Sequence, residues 1–264
     1  MNQEFKQEFL INAMSGATKT QLLRTYREEL NCTDENIKEL LNLPEIQKAP
    51  KFVNYWKFHK LKIPSLAKCY KFPFTKIYTQ RNFLSKQECT ELIEEIEDNL
   101  EPSCIANPDD RRTVSDYRTS SSASFNYRKT NIGTDTDLKI SRYLKLDPFI
   151  GEWVQGQKYG PGEYYKEHHD FFHPFTEEYK TYTEWMGQRT WTFMVYLNDV
   201  KKGGETYFKH LNLAIKPERG MAVFWNNLYP FGWPNLKTMH EALPPLEEEK
   251  YIITKWFRSW HLIN

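Results

Sequence analysis

The sequence predicts a mostly β fold, a jelly roll or similar closed sheet, with flanking helices and a small helical N-terminal region. Three features predict it. From about residue 152 onward, short apolar runs follow one another without helical spacing. Turn residues punctuate those runs at short intervals. Aromatic residues make up 16% of the chain, which suits sheet faces that pack large rings. At 264 residues the chain accommodates one domain of ordinary size plus a small appendage, divided here into a helical region at 1–70 and a second region at 71–264.

In chain order, Leu22, Leu23, Tyr26 and Leu30 recur at helical spacing within 18–30. Thr33 or Asp34 then caps a helix through 36–43. Pro44, Pro50, Pro64 and Pro73 break the pattern into a linker. A further helix is predicted over 85–100, capped by Ser85, with Cys89, Leu92, Ile93 and Ile96 as its apolar stripe. Residues 101–116 are polar and read as a loop. Strands are predicted at 153–159, 163–170, 189–198, 204–208, 212–216, 221–225, 237–242 and 250–258. Gly160-Pro161-Gly162, Lys202-Gly203-Gly204, Glu218-Arg219-Gly220 and Pro244-Pro245 supply turns between them. The long aromatic and acidic loop at 172–187 reads as a lid beside a site. Trp191, Phe193, Phe224 and Trp225 read as core.

A formal net charge of +1 gives no electrostatic case for a nucleic-acid partner. No apolar run approaches the ~18 residues of a membrane span, and the N-terminus lacks the pattern of a secretory signal. The expectation is a soluble cytoplasmic protein. Cys32, Cys69, Cys89 and Cys104 include no CxxC pair, so they read as reduced structural thiols.

The informative stretch is Tyr165-Lys166-Glu167-His168-His169-Asp170. Along a strand, His168 and Asp170 share a face while His169 points away. An imidazole and a carboxylate so placed can grip one metal, and His240, in a later short strand, is the candidate third ligand. Two His and one carboxylate leave coordination positions open for a cosubstrate and dioxygen, the ligand set of non-haem iron oxygenases. An HxD pair alone also fits a hydrogen-bonded pair on a sheet. Ten residues after His240, Lys250 opens a strand in which Lys250, Ile252, Thr254, Trp256 and Arg258 share a face. If that face lines the barrel, Lys250 is an interior cation in need of a carboxylate, which the distal end of 2-oxoglutarate would supply. The competing reading is an exposed strand-edge lysine. Lys255, on the opposite face, is expected to be a solvated surface residue.

Tyr159-Gly160, Tyr165-x-x-His168-x-Asp170, Tyr196-Leu-Asn-Asp199-Val-x-x-Gly203-Gly204-Glu-Thr206, Pro217-x-x-Gly220-x-Ala222-Val-Phe224-Trp225 and His240…Lys250…Lys255-Trp256 together resemble the prolyl 4-hydroxylase branch of the iron/2-oxoglutarate oxygenases, in family order over about residues 75–262. The resemblance implies a double-stranded β-helix core within 71–264. It implies Fe(II) on His168, Asp170 and His240, and 2-oxoglutarate on Lys250, Tyr159 and Thr206. Tyr165, Arg189, Trp256 and Arg258 match substrate-side positions, and Tyr117-Arg118-Thr119-Ser120 matches a stretch near the cleft mouth. O2 is the second cosubstrate, with ascorbate as an accessory reductant. Succinate, CO2 and a hydroxylated product follow. Asp170 favours hydroxylation, because a small residue there would open a halide site. Arg258 stands where family members commonly have His, His169 where an aromatic is usual, and the loop after the HxD pair differs.

The resemblance implies a proline-containing peptide or protein as substrate. A free amino acid or other small molecule is the alternative, and a non-catalytic binding protein on the same fold is the alternative of another class.

Overall fold

The computed structural model describes residues 27, 32–42, 61, 63–103, 116–125, 131–184, 186–229 and 232–259. The predicted helix at 18–30, Cys104 and Trp185 lie largely or wholly outside them. Helix α1 (Asp34–Leu41) is capped by Thr33, whose hydroxyl accepts from the Asn36 amide at 3.2 Å. Strand β1 (Lys68–Phe72), inside the stretch predicted to be a linker, forms a hairpin with β2 (Thr75–Gln80), which follows it. The alternation of Thr75, Ile77 and Thr79, all buried, outweighs the nearby prolines there. Helix α2 (Lys86–Asp98) carries the predicted cap: Ser85 and Glu88 satisfy one another's backbone amides in a capping box. Cys89, Leu92 and Ile96 are its buried stripe.

Beyond α2 come short strands β3 (Glu101–Pro102) and β4 (Ser121–Ser124), then helix α3 (Asn131–Leu144). Sequence reading assigns no helix there, because Gly133, Thr134, Asp135 and Thr136 are weak helix formers. Packing decides instead, with Ile140 and Leu144 buried against the sheet core. Next are β5 (Gln155–Tyr159), β6 (Tyr165–His168), helix α4 (Glu177–Thr183) within the predicted lid loop, and β7 (Arg189–Tyr196). The chain closes with β8 (Thr206–Phe208), β9 (Leu213–Ile215), β10 (Ala222–Asn226), β11 (His240–Ala242) and β12 (Lys250–Arg258).

The strands pair antiparallel in a large sheet, β1-β2-β10-β7-β12-β5-β4-β3, and a small one, β6-β11-β8-β9. This is the predicted jelly-roll architecture. Alternation along each strand divides the core in two. Trp191, Phe193, Val195, Phe224, Ile253 and Phe257 face α2 and α3. Met194, Tyr196, Val223, Trp225 and Ile252 instead meet Phe208, Ile215 and Ala242 of the small sheet. The four aromatics predicted to be core are buried.

Because helices cover the outer face of the large sheet, Lys255 is not solvated as expected. Strand parity puts it opposite Lys250, but that face is buried: Lys255 is 0% exposed, forms an ion pair with Asp137 of α3 and donates to the Glu152 carbonyl at 3.1 Å. Gly156 allows the close approach of α2 to β5, since a Cβ there would lie 2.4 Å from Ile96. Cys32, Cys69 and Cys89 are free thiols. No helix among the described residues is long and apolar enough to cross a membrane.

Candidate metal centre and cavity

His168 ends β6 and His240 begins β11, and the two are direct partners across the antiparallel ladder. Their ring centroids lie 4.3 Å apart. Asp170 is just past the end of β6, in a bend, so it reaches the imidazoles from the turn. His168 Nε2 lies 3.9 Å from Asp170 Oδ1, and His240 Nε2 lies 3.9 Å from Asp170 Oδ2. One ligand atom from each residue lies within 4.8 Å of the others, so the three can share one ion.

The donors are prepared for a metal. His168 Nδ1 lies 2.8 Å from the Lys166 carbonyl and His240 Nδ1 lies 2.9 Å from the Thr238 carbonyl. A backbone acceptor at Nδ1 holds the proton there and leaves each Nε2 lone pair directed at the centre. Burial, reinforced by His240, pushes His168 down to about 3, so its ring is neutral at neutral pH. Burial would raise the Asp170 carboxyl, but His240, His168 and Arg189 together hold it below the usual carboxylate range. Thr192, pointing inward from β7, donates to Asp170 Oδ2 at 2.5 Å and accepts from Asn227 Nδ2 at 2.9 Å. This chain of donors fixes the carboxylate. Two imidazoles and an ionised carboxylate with open space beyond them fit a non-haem ferrous ion.

The triad opens into a cavity of about 560 Å³. Tyr159, Thr206, Tyr165, Arg189 and Trp256 all line it. Tyr165 stacks on the His168 ring at 3.6 Å. Thr206 Oγ1 accepts from the Tyr196 hydroxyl at 2.7 Å. Lys250 and Arg258 stand behind the wall rather than in it. Lys250, the cross-strand partner of Tyr159, lies with Nζ 4.3 Å over that ring and donates to the Gly204 carbonyl at 3.1 Å. It is fully buried and makes no ion pair among the described residues, and burial pushes it down to about 7. Arg258 faces Arg189 across β12 and β7, a repulsive register that Glu152 resolves. The Glu152 carboxylate accepts two bonds of 2.6 Å from Arg189 and one of 2.8 Å from Arg258.

His169 departs from the outward orientation that strand parity predicts. Regular pairing ends at His168, and His169 lines the cavity with Nε2 3.2 Å from the Leu236 carbonyl. Thr192 and Glu152 escape sequence reading. Alternation along β7 places Thr192 with Met194 on the inner face, but nothing in the sequence marks Glu152. Arg118, placed by the sequence only near the cleft mouth, is buried in the cavity wall, and its bonds go to Ser120, Ser122 and Gln155 rather than to a carboxylate. The indole N–H groups of Trp225 and Trp256, two further wall residues, are buried without a partner among the described residues. The cavity thus presents two unpartnered indole donors and a guanidinium, that of Arg118, bonded only to neutral groups, which a ligand with acceptor oxygens can satisfy.

Residues 154–258 match the model of the 2OG-Fe(II) oxygenase superfamily. "Probable prolyl 4-hydroxylase 7" of Arabidopsis thaliana is 30% identical over 200 residues, covering 69% of this chain and 62% of that protein. "Prolyl 4-hydroxylase subunit alpha-1" of Gallus gallus is 30% identical over 180 residues, covering 67% of this chain and 34% of that one. The chain therefore spans less than two thirds of the length of these relatives. The viral collagen prolyl hydroxylase of Paramecium Bursaria Chlorella virus-1, solved as its 2OG complex, superposes with a TM-score of 0.55 at 27% identity, covering 69% of this chain and 96% of that one. The cofactor set that goes with this match is Fe(II), 2-oxoglutarate and O2. Matching domain, relatives and His-Asp-His centre agree: the chain belongs to the 2OG-Fe(II) oxygenase superfamily, in its prolyl 4-hydroxylase-like branch.

Proposed function

We propose that this protein is a 2-oxoglutarate-dependent dioxygenase that hydroxylates a proline residue in a peptide or protein. The observation that carries the reading is the convergence of His168, Asp170 and His240 on one point, at the base of a cavity whose wall holds unspent donors. Bound Fe(II), with 2-oxoglutarate and O2, supplies the oxidising power needed to break an unactivated C–H bond. The protein's own share is placement. His168 and His240 direct their Nε2 atoms at one point, and the Thr192 hydroxyl holds the Asp170 carboxylate in place.

Lys250, with the hydroxyls of Tyr159 and Thr206, is the proposed holder of the distal carboxylate of 2-oxoglutarate. A fully buried ammonium that makes no ion pair among the described residues supports this role. Arg118, Tyr165, Arg189 and Trp256 are proposed for the substrate side, where the Arg118 guanidinium and the Trp256 indole N–H suit peptide carbonyls. Sequence similarity to prolyl 4-hydroxylases favours a peptide over a free amino acid.

The test is succinate release and substrate mass gain on a panel of proline-rich peptides and free amino acids, each with and without Fe(II) and 2-oxoglutarate. Lys250→Ala should raise KM for 2-oxoglutarate and Arg118→Ala should raise KM for peptide. Exchange of those two effects would reassign both residues. Wild-type turnover by His168→Ala would sink the metal assignment, and no succinate with any substrate would favour a non-catalytic protein.

A further inference from the structure

The segment after the metal ligands departs from the family pattern, and in this protein it is strapped down over the cavity. Phe172 exchanges two hydrogen bonds with the Gln188 side chain, its amide donating to Oε1 at 2.8 Å and its carbonyl accepting from Nε2 at 2.6 Å. Its ring stacks on Tyr182 of α4 at 5.2 Å and 12°. The guanidinium groups of Arg189 and Arg258 lie 4.9 and 5.0 Å from the same ring. Arg258, where the family commonly has His, also donates to the Tyr182 carbonyl. These contacts tie α4 to β7 and β12 and so position the side chain that α4 presents to the cavity, an acid.

Glu178 lines the cavity, is half-buried and accepts no hydrogen bond from a described residue. Its neighbour Glu177 is exposed and paired with Lys180 at 2.5 Å. Arg189 and His173 face Glu178 most closely in charge, but the Arg189 fork is already engaged bidentately by Glu152 and its face lies 4.1 Å over Trp256. A partly desolvated carboxylate with no dedicated counter-charge lowers its energy by pairing with a cation brought by a ligand.

We infer that Glu178 is a specificity-determining residue that selects substrates with a lysine or arginine side chain close to the hydroxylated position. This rests on the peptide-hydroxylation reading, and binding separates the two. Proline-rich peptides carrying one lysine at successive positions, each paired with its acetyl-lysine counterpart, are measured by fluorescence anisotropy on the protein and by succinate release with Fe(II) and 2-oxoglutarate. At the best position, lysine should be favoured over acetyl-lysine by about 5–10-fold, less at high salt. Glu178→Gln should bring that ratio to about one, and Glu177→Gln should keep it. A purely structural role for Glu178 would weaken both peptides alike and leave the ratio standing, which overturns the inference, as does a wild type that does not discriminate. Discrimination in binding without succinate would overturn the hydroxylase reading alone, and succinate without discrimination would overturn the Glu178 assignment alone. Absence of any peptide binding overturns both.

Discussion

Replacing Lys250 by Met should stabilise the ligand-free protein while impairing 2-oxoglutarate binding. The Lys250 ammonium is fully buried, donates to one carbonyl and makes no ion pair among the described residues. Burial lowers its pKa from 10.5 to about 7. That difference corresponds to about 5 kcal/mol held against the charged form. Local relaxation and water recover part of it, so an apolar chain of similar length should gain about 1–4 kcal/mol at pH 7. The sign with pH follows from proton counts. Between about 7 and 10.5 the unfolded chain holds a proton on Lys250 that the folded chain has released, so wild-type stability rises with pH through that window. The advantage of the Lys250→Met variant should therefore shrink by up to about 1.4 kcal/mol per pH unit above 7. Urea unfolding of both proteins at a series of pH values, without and with 2-oxoglutarate, measures this directly. Ligand should stabilise the wild type and leave the variant nearly unmoved. A variant less stable than wild type at pH 7, or a difference independent of pH, would refute the idea of an uncompensated ammonium.

Other perturbations test the remaining supports. Thr192→Val removes the donor to Asp170 and strands Asn227, so metal affinity should fall about 10–100-fold, with Thr192→Ser close to wild type; free Mn(II) followed by EPR reads the difference. Asp137→Asn leaves Lys255 buried without its counter-ion and should cost about 3–5 kcal/mol in urea unfolding. Arg258→Gln releases the Tyr182 carbonyl, so limited proteolysis within 172–187 should quicken while Mn(II) affinity holds; unchanged cleavage would mean the strap is not needed.

The metal centre was legible because its chemistry is local. His168 and Asp170 are two residues apart, and His240 and Lys250 keep a spacing that only a few ligand sets require. The strands from β5 to β12 were legible through alternation and turn residues, although β6 and β11 are shorter than predicted. Helix α3 and the first hairpin were not, because packing rather than local preference creates them. Missing α3 explains the misreading of Lys255: parity located the residue correctly, and only the covering helix decides whether that face meets water. The Glu152 cluster was equally hidden, since its meaning depends on Arg189 and Arg258 being opposite one another.

The facing positions of His168 and His240 make the proposed metal site a gauge of sheet assembly. If β11 slid by a single residue against β6, His240 would turn to the other surface of the ladder and the three donors would no longer converge. A metal held there would therefore reward only the correctly threaded sheet and strengthen the strand pair that holds it. Chelation should loosen the junction between β6 and β11 before it disturbs the large sheet beneath, coupling iron supply to the firmness of one edge of the barrel.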